Sequence, residues 1–556
     1  MSTDTLQQSP QASRRLAQFF RRGDSLVWLT GGALALAVLL ITGLLFLVFV
    51  SGFTFFWPFQ IVTAERPGQA PVLGIVTGAQ EERRDAGGQV IKAAQTQFKT
   101  GNREVYGYDF LWVRNEQLGA RRVDPDVVAL EREEYGNFYG FLVRLEHKGR
   151  VVAEGSATWE AAQEQRAVAR AQAARGKAIQ RDEIGEVNAR MQRANLRLRS
   201  AQLRSPDGRA PTEVQQAVAA ELAARQADYE RLRAQAELLM AQAAEYTLVM
   251  RTVQGDERRI PLSTVVRAWQ PNRMDRLQKI ALYLDRAAEF VHGEPRESNT
   301  EGGVWPAIFG TVMMTIIMSL AVTPFGVVAA FYLREYARQG PVVRAVRIAI
   351  NNLAGVPSIV FGVFGLGFFV YFIGGGIDRL FFAASLPNPT FGTGGILWAS
   401  LTLALLTVPV VIVATEESIA AVPRGVREGS LALGASKFQT ICKVVLPASV
   451  PGILTGVILA MARGAGEVAP LMITGVVKLA PELPLDGHFP FFHLDRKFMH
   501  LGFHIYDVGF QSPNIEAAKP MVFTTTLLLI SIIVLMNLFA IRLRDRIRKK
   551  YQTGAF

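Results

Sequence analysis

Two charged residues, Arg463 and Glu467, stand inside an apolar stretch that runs from about residue 450 to residue 477. At about 1.5 Å per residue, Arg463 would lie roughly 20 Å into a bilayer whose hydrocarbon core is about 30 Å thick. A charge at that depth costs about 2.5 to 3.5 kcal/mol on insertion scales, so it should face a partner or a watery path. The i, i+4 spacing predicts that both side chains share one face of a helix.

The residues alone leave two interpretations of this pair open. Arg463 and Glu467 could form an ion pair that only locks two helices together, or they could line a polar route through the membrane. Gly464 and Gly466 lie beside them. Because glycine has no side chain, these positions allow close approach of a neighbouring helix or of an anion.

The elements that position this pair must be membrane helices. The chain has 556 residues, of which 50% are hydrophobic and only 19% are charged, below the roughly 25% of soluble proteins, so a purely soluble or disordered chain is excluded. One cysteine, Cys442, excludes an internal disulfide framework and a cysteine-based zinc site. Six apolar stretches are each long enough to span a bilayer: 26–50, 307–333, 353–373, 396–414, 450–477 and 521–541.

The basic residues fix the orientation that we expect. The formal net charge is +12, and Lys and Arg concentrate in four segments, residues 14–22, 334–347, 424–443 and 542–550. A six-span topology places all four segments on one side, which the positive-inside rule assigns to the cytoplasm. The basic excess is therefore largely topological and needs no nucleic-acid partner.

This topology divides the chain into five regions. We expect a cytoplasmic basic N-terminus (1–25), an uncleaved first span (26–50), an extracytoplasmic α+β domain (51–300), a membrane core with spans two to six (301–541) and a cytoplasmic tail (542–556). The membrane core contains a cytoplasmic loop at 417–448. The predicted fold class is therefore mainly α, a polytopic membrane protein with six transmembrane helices and an extracytoplasmic α+β domain.

The extracytoplasmic domain should combine strands with a helical hairpin. Strand patterns cover 105–113, 137–145, 247–253 and 264–269. Apolar residues at alternating steps of three and four predict two helical arms over about 160–245, broken at Ser205-Pro-Asp-Gly. Thr212 and Gln215 suggest a capping box for the second arm. Residues 275–291 form a candidate amphipathic helix that leads into the second span.

The cytoplasmic loop contains a glycine-broken pattern that ends in Leu446-Pro447. It resembles the EAA loop of ABC-transporter permeases, with Glu428-Gly429-Ser430 in place of the usual Glu-Ala-Ala. In that family the loop forms a coupling helix that sits in a groove of the ATPase subunit. The resemblance implies this role for Arg427, Glu428, Gly429, Ser430, Ala432 and Gly434.

Three further stretches narrow the resemblance to one group of ABC-transporter permeases. They are Glu301-Gly-Gly-Val-Trp-Pro306, Asn351 to Gly362, and Ala462-Arg-Gly-Ala-Gly-Glu-Val-Ala-Pro470. Together they look like the A-type permeases of phosphate-specific transport systems, over about residues 297–550. The long N-terminal region resembles the extended version found in some Gram-negative bacteria.

The resemblance carries expectations for fold, function and partners. It implies a MetI-like ABC-importer permease of the bacterial inner membrane, with both termini cytoplasmic, that passes inorganic phosphate when a partner subunit hydrolyses ATP. The implied partners are a second homologous permease, an ATP-binding subunit dimer and a periplasmic phosphate-binding protein. The chain itself would hold no cofactor, because the partner binds ATP. Arg463 and Glu467 would belong to the substrate pathway, and the helix-packing or pathway candidates are Asn351, Pro357, Ser358, Gly464 and Gly466.

Other functions have weaker support. The sequence has no GxxxxGK[ST] loop, no G-x-S-x-G elbow and no H-E-x-x-H helix, so we do not expect an enzyme. His488, His493, His500 and His504 are interspersed with phenylalanines, which favours an interfacial segment on the bilayer over a metal site. Another oxyanion, sulfate or molybdate, is the near alternative substrate. A periplasmic adaptor or sensor would explain residues 1–300 but not the later spans.

Overall fold

The computed structural model describes residues 24–84, 90–480, 482–487, 490–512 and 515–552. Within these residues, six helices are long and apolar enough to cross a membrane, which confirms the predicted number of spans. We number them span 1 to span 6: Leu26–Thr54, Trp305–Tyr336, Ser358–Phe381, Ile396–Ala421, Lys437–Gly466 and Ile515–Lys549. The basic segment at 14–22, used above to orient the chain, lies outside the described residues.

Two spans differ from the sequence-based expectation. Span 3 begins at Ser358 rather than near residue 353, because Asn351 belongs to a separate amphipathic helix, Pro341–Leu353, and Pro357 is the N-cap of the span. The single span expected over 450–477 is wrong. Span 5 begins earlier, at Lys437, and ends at Gly466, so the depth counted from residue 450 is also wrong: Arg463 lies in the last turn of the span. A separate short helix, Ala469–Thr474, follows.

The spans approach each other closely at small residues. A Cβ on Gly456 of span 5 would lie 2.5 Å from the Cβ of Ala414 in span 4, and Gly452 lies just as tightly against Ser418. Gly326 of span 2 lies against Val411 of span 4. Small side chains at these crossings let helix backbones pack without a clash, which is the usual way that membrane helices associate.

The N-terminal domain contains two antiparallel sheets. One has the strand order β6-β5-β2-β1-β7, and the other has the order β12-β11-β9-β8-β13 with β10 paired to β9. The first sheet consists of β1 (Val62–Arg66), β2 (Gln69–Gln80), β5 (Gln95–Lys99), β6 (Phe110–Arg114) and β7 (Arg121–Arg122). The second consists of β8 (Val127–Arg132), β9 (Asn137–His147), β10 (Arg150–Glu154), β11 (Tyr246–Arg251), β12 (Glu257–Pro261) and β13 (Val265–Trp269). Short two-stranded ribbons pair β3 (Arg83–Arg84) with β4 (Val90–Lys92) and β14 (Pro295–Arg296) with β15 (Glu301–Gly302).

Three of the four predicted strand regions are confirmed, and the fourth is only partly right. Residues Arg103–Tyr106 form a helical turn that ends at Gly107 with φ +76°, and the strand starts only at Phe110. Gly107 has a left-handed backbone conformation that changes the direction of the chain. The apolar residues before it therefore do not belong to the strand.

The helical hairpin is confirmed and interrupts the second sheet between β10 and β11. Its first arm comprises Thr158–Ala178, a π-helical turn Ile179–Glu183, and Ile184–Arg204; its second arm is Thr212–Ala243. Ala162 and Ala169 of the first arm pack into the core of the second sheet. The predicted capping box is wrong, because Pro211 is the N-cap and the Gln215 side chain donates instead to the Ala210 carbonyl, at 2.7 Å.

A connecting helix, Arg276–His292, joins this domain to span 2. Asp275 and Gln278 form a capping box at its start, and Phe290 near its end packs against Phe56, which follows span 1. The predicted amphipathic helix is therefore confirmed. Its buried face lies where the N-terminal domain meets the membrane helices.

A buried ionic cluster ties the connecting helix to the second sheet. Glu131 of β8 accepts from Arg296 at 2.5 Å and from Arg267 at 3.3 Å, and Arg286 lies 4.0 Å away. Burial alone would raise the pKa of Glu131, but the charges of Arg286, Arg296 and Arg267 outweigh it and hold the pKa below its usual value. Glu289 adds a second carboxylate to the cluster through Arg267 and Arg296.

We predict that Glu131→Gln destabilises the protein. The substitution leaves three guanidiniums without their shared buried carboxylate, and breaking a buried ion pair costs about 3 to 5 kcal/mol. Because the pKa of Glu131 is lowered on folding, its contribution is present above the unfolded-state pKa and is lost as pH falls through the folded-state value. Thermal unfolding of the purified chain should show a lower melting temperature at neutral pH and a smaller difference in acid. Glu213→Gln, at an exposed site on the second arm, is the control; equal effects of the two variants would contradict the prediction.

Candidate functional site

Arg463 lies in the last turn of span 5, at the point where the helix breaks. Its Nε atom is 3.8 Å from Oε1 of Glu467, beyond hydrogen-bond distance, and the two side chains are 37% and 22% exposed. Glu467 lies past the helix end with extended backbone angles, φ −78° and ψ 140°. The expectation that both residues share one helix face is therefore wrong, because the helix stops between them.

The break leaves the Arg463 guanidinium open to a further partner. Glu467 makes only a long contact with it, so its N–H donors are not used up within the described part of the chain. A Cβ on Gly466 would meet nothing within 4 Å. The carbonyl end of span 5 also favours a cation in its last turn. A partly exposed guanidinium with open space beside it can bind an anion, whereas a tight ion pair could not.

Span 3 and span 2 hold the break in place. A Cβ on Gly362 of span 3 would lie 2.8 Å from Cα of Pro470, in the short helix after the break. Met318 of span 2 packs directly against Gly464. Phe361 and Leu471 join the same buried apolar core. Gly362 therefore allows a backbone contact with Pro470, and Gly464 leaves room for the Met318 side chain.

The other pathway candidates lie elsewhere. Asn351 is exposed on the amphipathic helix before span 3, and Pro357 and Ser358 form the beginning of that span. Among the described residues, no hydrogen bond or ion pair joins these three side chains to Arg463. Their predicted role in the pathway stays a prediction.

The loop between spans 4 and 5 has the predicted two helices broken by glycine, and the second of them is the beginning of span 5. Helix Arg424–Ala432 ends before Gly434, whose φ of +83° suits only glycine well, and Ser436 caps the next helix through Gln439. Ser430 and Thr440 join the two helices through their hydroxyls at 2.9 Å.

Arg427 points inward, toward span 2. Its Nη1 donates to Oε1 of Glu335 at 2.6 Å, and its Nη2 donates to the carbonyl of Ile419. Lys437 donates to the Glu335 carbonyl and lies over the Tyr336 ring at 5.1 Å. The sequence analysis missed Glu335, because nothing in the sequence links it to residues about a hundred positions later.

Several large apolar side chains of this loop are exposed. Leu433 is 91% exposed, Phe438 66%, Leu431 48% and Val426 47%. Glu428 and Gly429 are also exposed beside them. We call Leu433, Phe438, Leu431 and Val426 the apolar patch; exposed large apolar side chains of this kind favour a protein-interaction surface.

Two of the four histidines in the last loop are enclosed by the protein. His500 and His504 are buried, and burial lowers the pKa of each to about 4. Nδ1 of His500 accepts from the Gly502 backbone N–H at 3.1 Å, so the ring caps a short helix. His493 contacts Asp486 at 2.9 Å, and His488 lies outside the described residues. The interfacial prediction is wrong for His500 and His504, because tertiary packing encloses them.

The chain resembles known membrane transport components. Residues 322–551 match the family described as "Binding-protein-dependent transport system inner membrane component". A probable ABC transporter permease of Bacillus subtilis, YqgI, is 32% identical over 254 residues, which cover 45% of this chain and 80% of the relative. A second permease of the same bacterium, YqgH, is 36% identical over 35% of this chain and 60% of its own length.

A phosphate transport system permease protein, PstA of Mycobacterium leprae, is 37% identical over 172 residues, 31% of this chain and 51% of the relative. The chain thus spans between about half and two thirds of the length of several curated relatives that it matches. Among solved structures, the inward-facing MetNI methionine ABC transporter aligns with 43% of this chain and 94% of its own, at 18% identity and a TM-score of 0.30.

We predict that Gly362→Ala destabilises the membrane core, whereas Gly367→Ala does not. A Cβ at residue 362 would collide with the Pro470 backbone, which cannot rotate away, while a Cβ at residue 367 of the same span meets nothing within 4 Å. Overpacking of this kind costs about 1 to 3 kcal/mol. Thermal melting of the two purified variants in detergent measures the difference. The prediction fails if both variants melt at the wild-type temperature.

Proposed function

We infer that this chain, which belongs to the family of inner membrane components of binding-protein-dependent transport systems, is the permease subunit of an ABC importer for inorganic phosphate. The observation that supports phosphate as the substrate is Arg463, a partly exposed guanidinium beside the break that ends a membrane span. Relatives that are named phosphate permeases, including PstA of Mycobacterium leprae, support the same assignment.

Phosphate fits the chemistry of Arg463. Near pH 7, phosphate carries one to two negative charges, and a guanidinium presents a planar fork of donors that matches two of its oxygens. The long contact with Glu467 lets Arg463 exchange that partner for a substrate oxygen without a large penalty.

Glu467 gives a route to selectivity. It either orients the guanidinium or accepts a hydrogen bond from the P–OH group that hydrogen phosphate carries. A fully ionised sulfate has no proton to donate, and it would leave two anions facing each other. Glu467 therefore favours phosphate over sulfate and molybdate, the near alternatives.

The cytoplasmic loop couples the bundle to ATP hydrolysis on a partner. We propose that the apolar patch around Leu433 sits in a groove of an ATP-binding subunit, one of a dimer. When ATP closes that dimer, the loop from Arg427 to Gly434 moves, and the contact between Arg427 and Glu335 passes the motion to span 2. The bundle then alternates between outward and inward access.

The remaining partners follow from this architecture. A second homologous permease would complete the pathway beside the exposed side of Arg463, and an extracytoplasmic binding protein would deliver phosphate to it. We place the complex in the bacterial inner membrane, with both termini in the cytoplasm. The chain is then a transport subunit and not itself an enzyme.

We predict that Arg463→Lys and Arg463→Ala both abolish most phosphate uptake. Lysine keeps the charge but loses the bidentate donors, so we expect a loss of about tenfold to a hundredfold, from hydrogen bonds worth about 1.5 to 3 kcal/mol. Uptake of labelled phosphate is measured in cells that lack the native permease, at matched membrane abundance. Arg344→Lys, at an exposed site on the helix before span 3, is the control.

The outcomes separate the alternatives. Normal uptake by both Arg463 variants would mean that the contact with Glu467 is structural. If the wild-type chain restores uptake of labelled sulfate but not of phosphate, the substrate assignment is wrong. If it restores neither, a transporter for these anions is excluded.

We also predict that Leu433→Asp separates the chain from its ATP-binding partner. A charge at the centre of an apolar contact should cost at least about 2 kcal/mol, or roughly thirtyfold in affinity. Co-purification of the two subunits measures the loss. Leu203→Asp, at an apolar residue of the hairpin that is 59% exposed, is the matched control. Undiminished co-purification of the Leu433 variant would contradict this interface.

A further inference from the structure

A groove of about 530 Å³ lies between the first arm of the hairpin and the end of span 3. Its lining combines apolar with basic residues. We call the apolar residues Leu196, Phe381 and Phe382 the floor, and the basic residues Arg190, Arg193 and Arg197 the rim. All of these residues lie far along the chain from Arg463 and from the cytoplasmic loop. None of the residues that line the groove belongs to the site proposed above.

The floor of the groove lies at the level where a bilayer ends. Span 3 is Ser358–Phe381, 24 residues, and at about 1.5 Å per residue it is slightly longer than the roughly 30 Å hydrocarbon core. Phe381 is thus at the interface, the depth at which membrane proteins place aromatic rings. Leu380 and Phe381 are each 78% exposed, so apolar surface remains uncovered there.

The rim carries more positive than negative charge. Arg190 pairs with Glu186 and Arg197 pairs with Glu221. The Arg193 side chain donates only to the Ala189 carbonyl, at 3.3 Å, and has no acidic partner among the described residues. Its remaining guanidinium donors are available to a ligand at the edge of the apolar floor.

An apolar floor and a basic rim together match one class of ligand. We propose that this groove binds an anionic glycerophospholipid, with the headgroup phosphate on Arg193 and an acyl chain along Phe381 and Phe382. A free phosphate ion would satisfy the arginine but leave the aromatic rings uncovered. A neutral lipid would cover the rings but leave the excess charge of the rim unbalanced. The bound lipid would join the hairpin to the bilayer beside span 3.

The test uses the full chain in phosphatidylcholine nanodiscs that contain a minority of phosphatidylglycerol. Native mass spectrometry of the released chain counts the lipids that stay bound. We expect the wild type to retain phosphatidylglycerol selectively, and Arg193→Gln to reduce that retention about fivefold, the effect of one basic residue near an anionic lipid. Arg204→Gln, on the same arm but outside the groove, should retain it fully.

Two further variants keep the proposal testable if Arg193→Gln does not fold. Arg193→Lys keeps the charge and should retain most of the phosphatidylglycerol. Phe381→Ala should weaken retention without changing the preference for the anionic lipid. If Arg193→Gln unfolds, the lysine and alanine variants still test the headgroup and acyl contacts separately.

Four results would overturn the proposal. They are equal retention by wild type and Arg193→Gln, equal retention of both lipid types by the wild type, displacement of phosphatidylglycerol by added inorganic phosphate, and loss of the lipid when partner subunits assemble with the chain. The third result would assign the groove to free phosphate, and the fourth would assign it to a protein partner.

Discussion

A guanidinium in the last turn of an apolar span needs polar partners, and the end of span 5 is arranged around this constraint. Span 5 stops three residues after Arg463, and Glu467 leaves the helix and turns back to within 3.8 Å of it. Such a break exposes backbone groups that lipid could not satisfy, so it is tolerable only when protein encloses it or water reaches it. Gly362 of span 3 provides the enclosure by packing directly on Pro470.

Ionic contacts recur where separate parts of the chain meet, but they do not contribute equally to the stability of the fold. Glu131 is buried among three arginines at the junction of the second sheet and the connecting helix, so losing its charge should be costly. Arg181 and Glu294 join the hairpin to the segment before span 2 at 2.7 Å, yet their side chains are 61% and 71% exposed. Solvent screens such a pair, and its contribution is about 0 to 1 kcal/mol.

The sequence predicted those features that local pattern determines. Hydropathy located the six spans, the three-four repeat located the hairpin, and Gly434 located the break in the cytoplasmic loop. Prediction from the sequence failed for features that depend on tertiary packing. The break after Gly466 was missed because the residues beyond it remain apolar, although Gly466 and Pro470 were local signals of it. The contact between Arg427 and Glu335 joins residues 92 positions apart, and the burial of His500 depends on helices that are distant in sequence.

Span 5 links the two functional regions physically. It begins at Lys437, which contacts Glu335 on the loop side, and ends at Gly466, beside Arg463. Gly452 and Gly456 pack it tightly on span 4, so these two helices should move as one body. A displacement of the loop that passes the π-helical turn Ile441–Val445 would then be carried to the far end of span 5. The extended residue Glu467 lies there, and its backbone N–H donates to the Gly464 carbonyl at 3.2 Å, so it is tied to the last turn of the helix. We therefore expect motion of the loop to move Arg463 and Glu467 together, and so to change the access of an anion to the guanidinium.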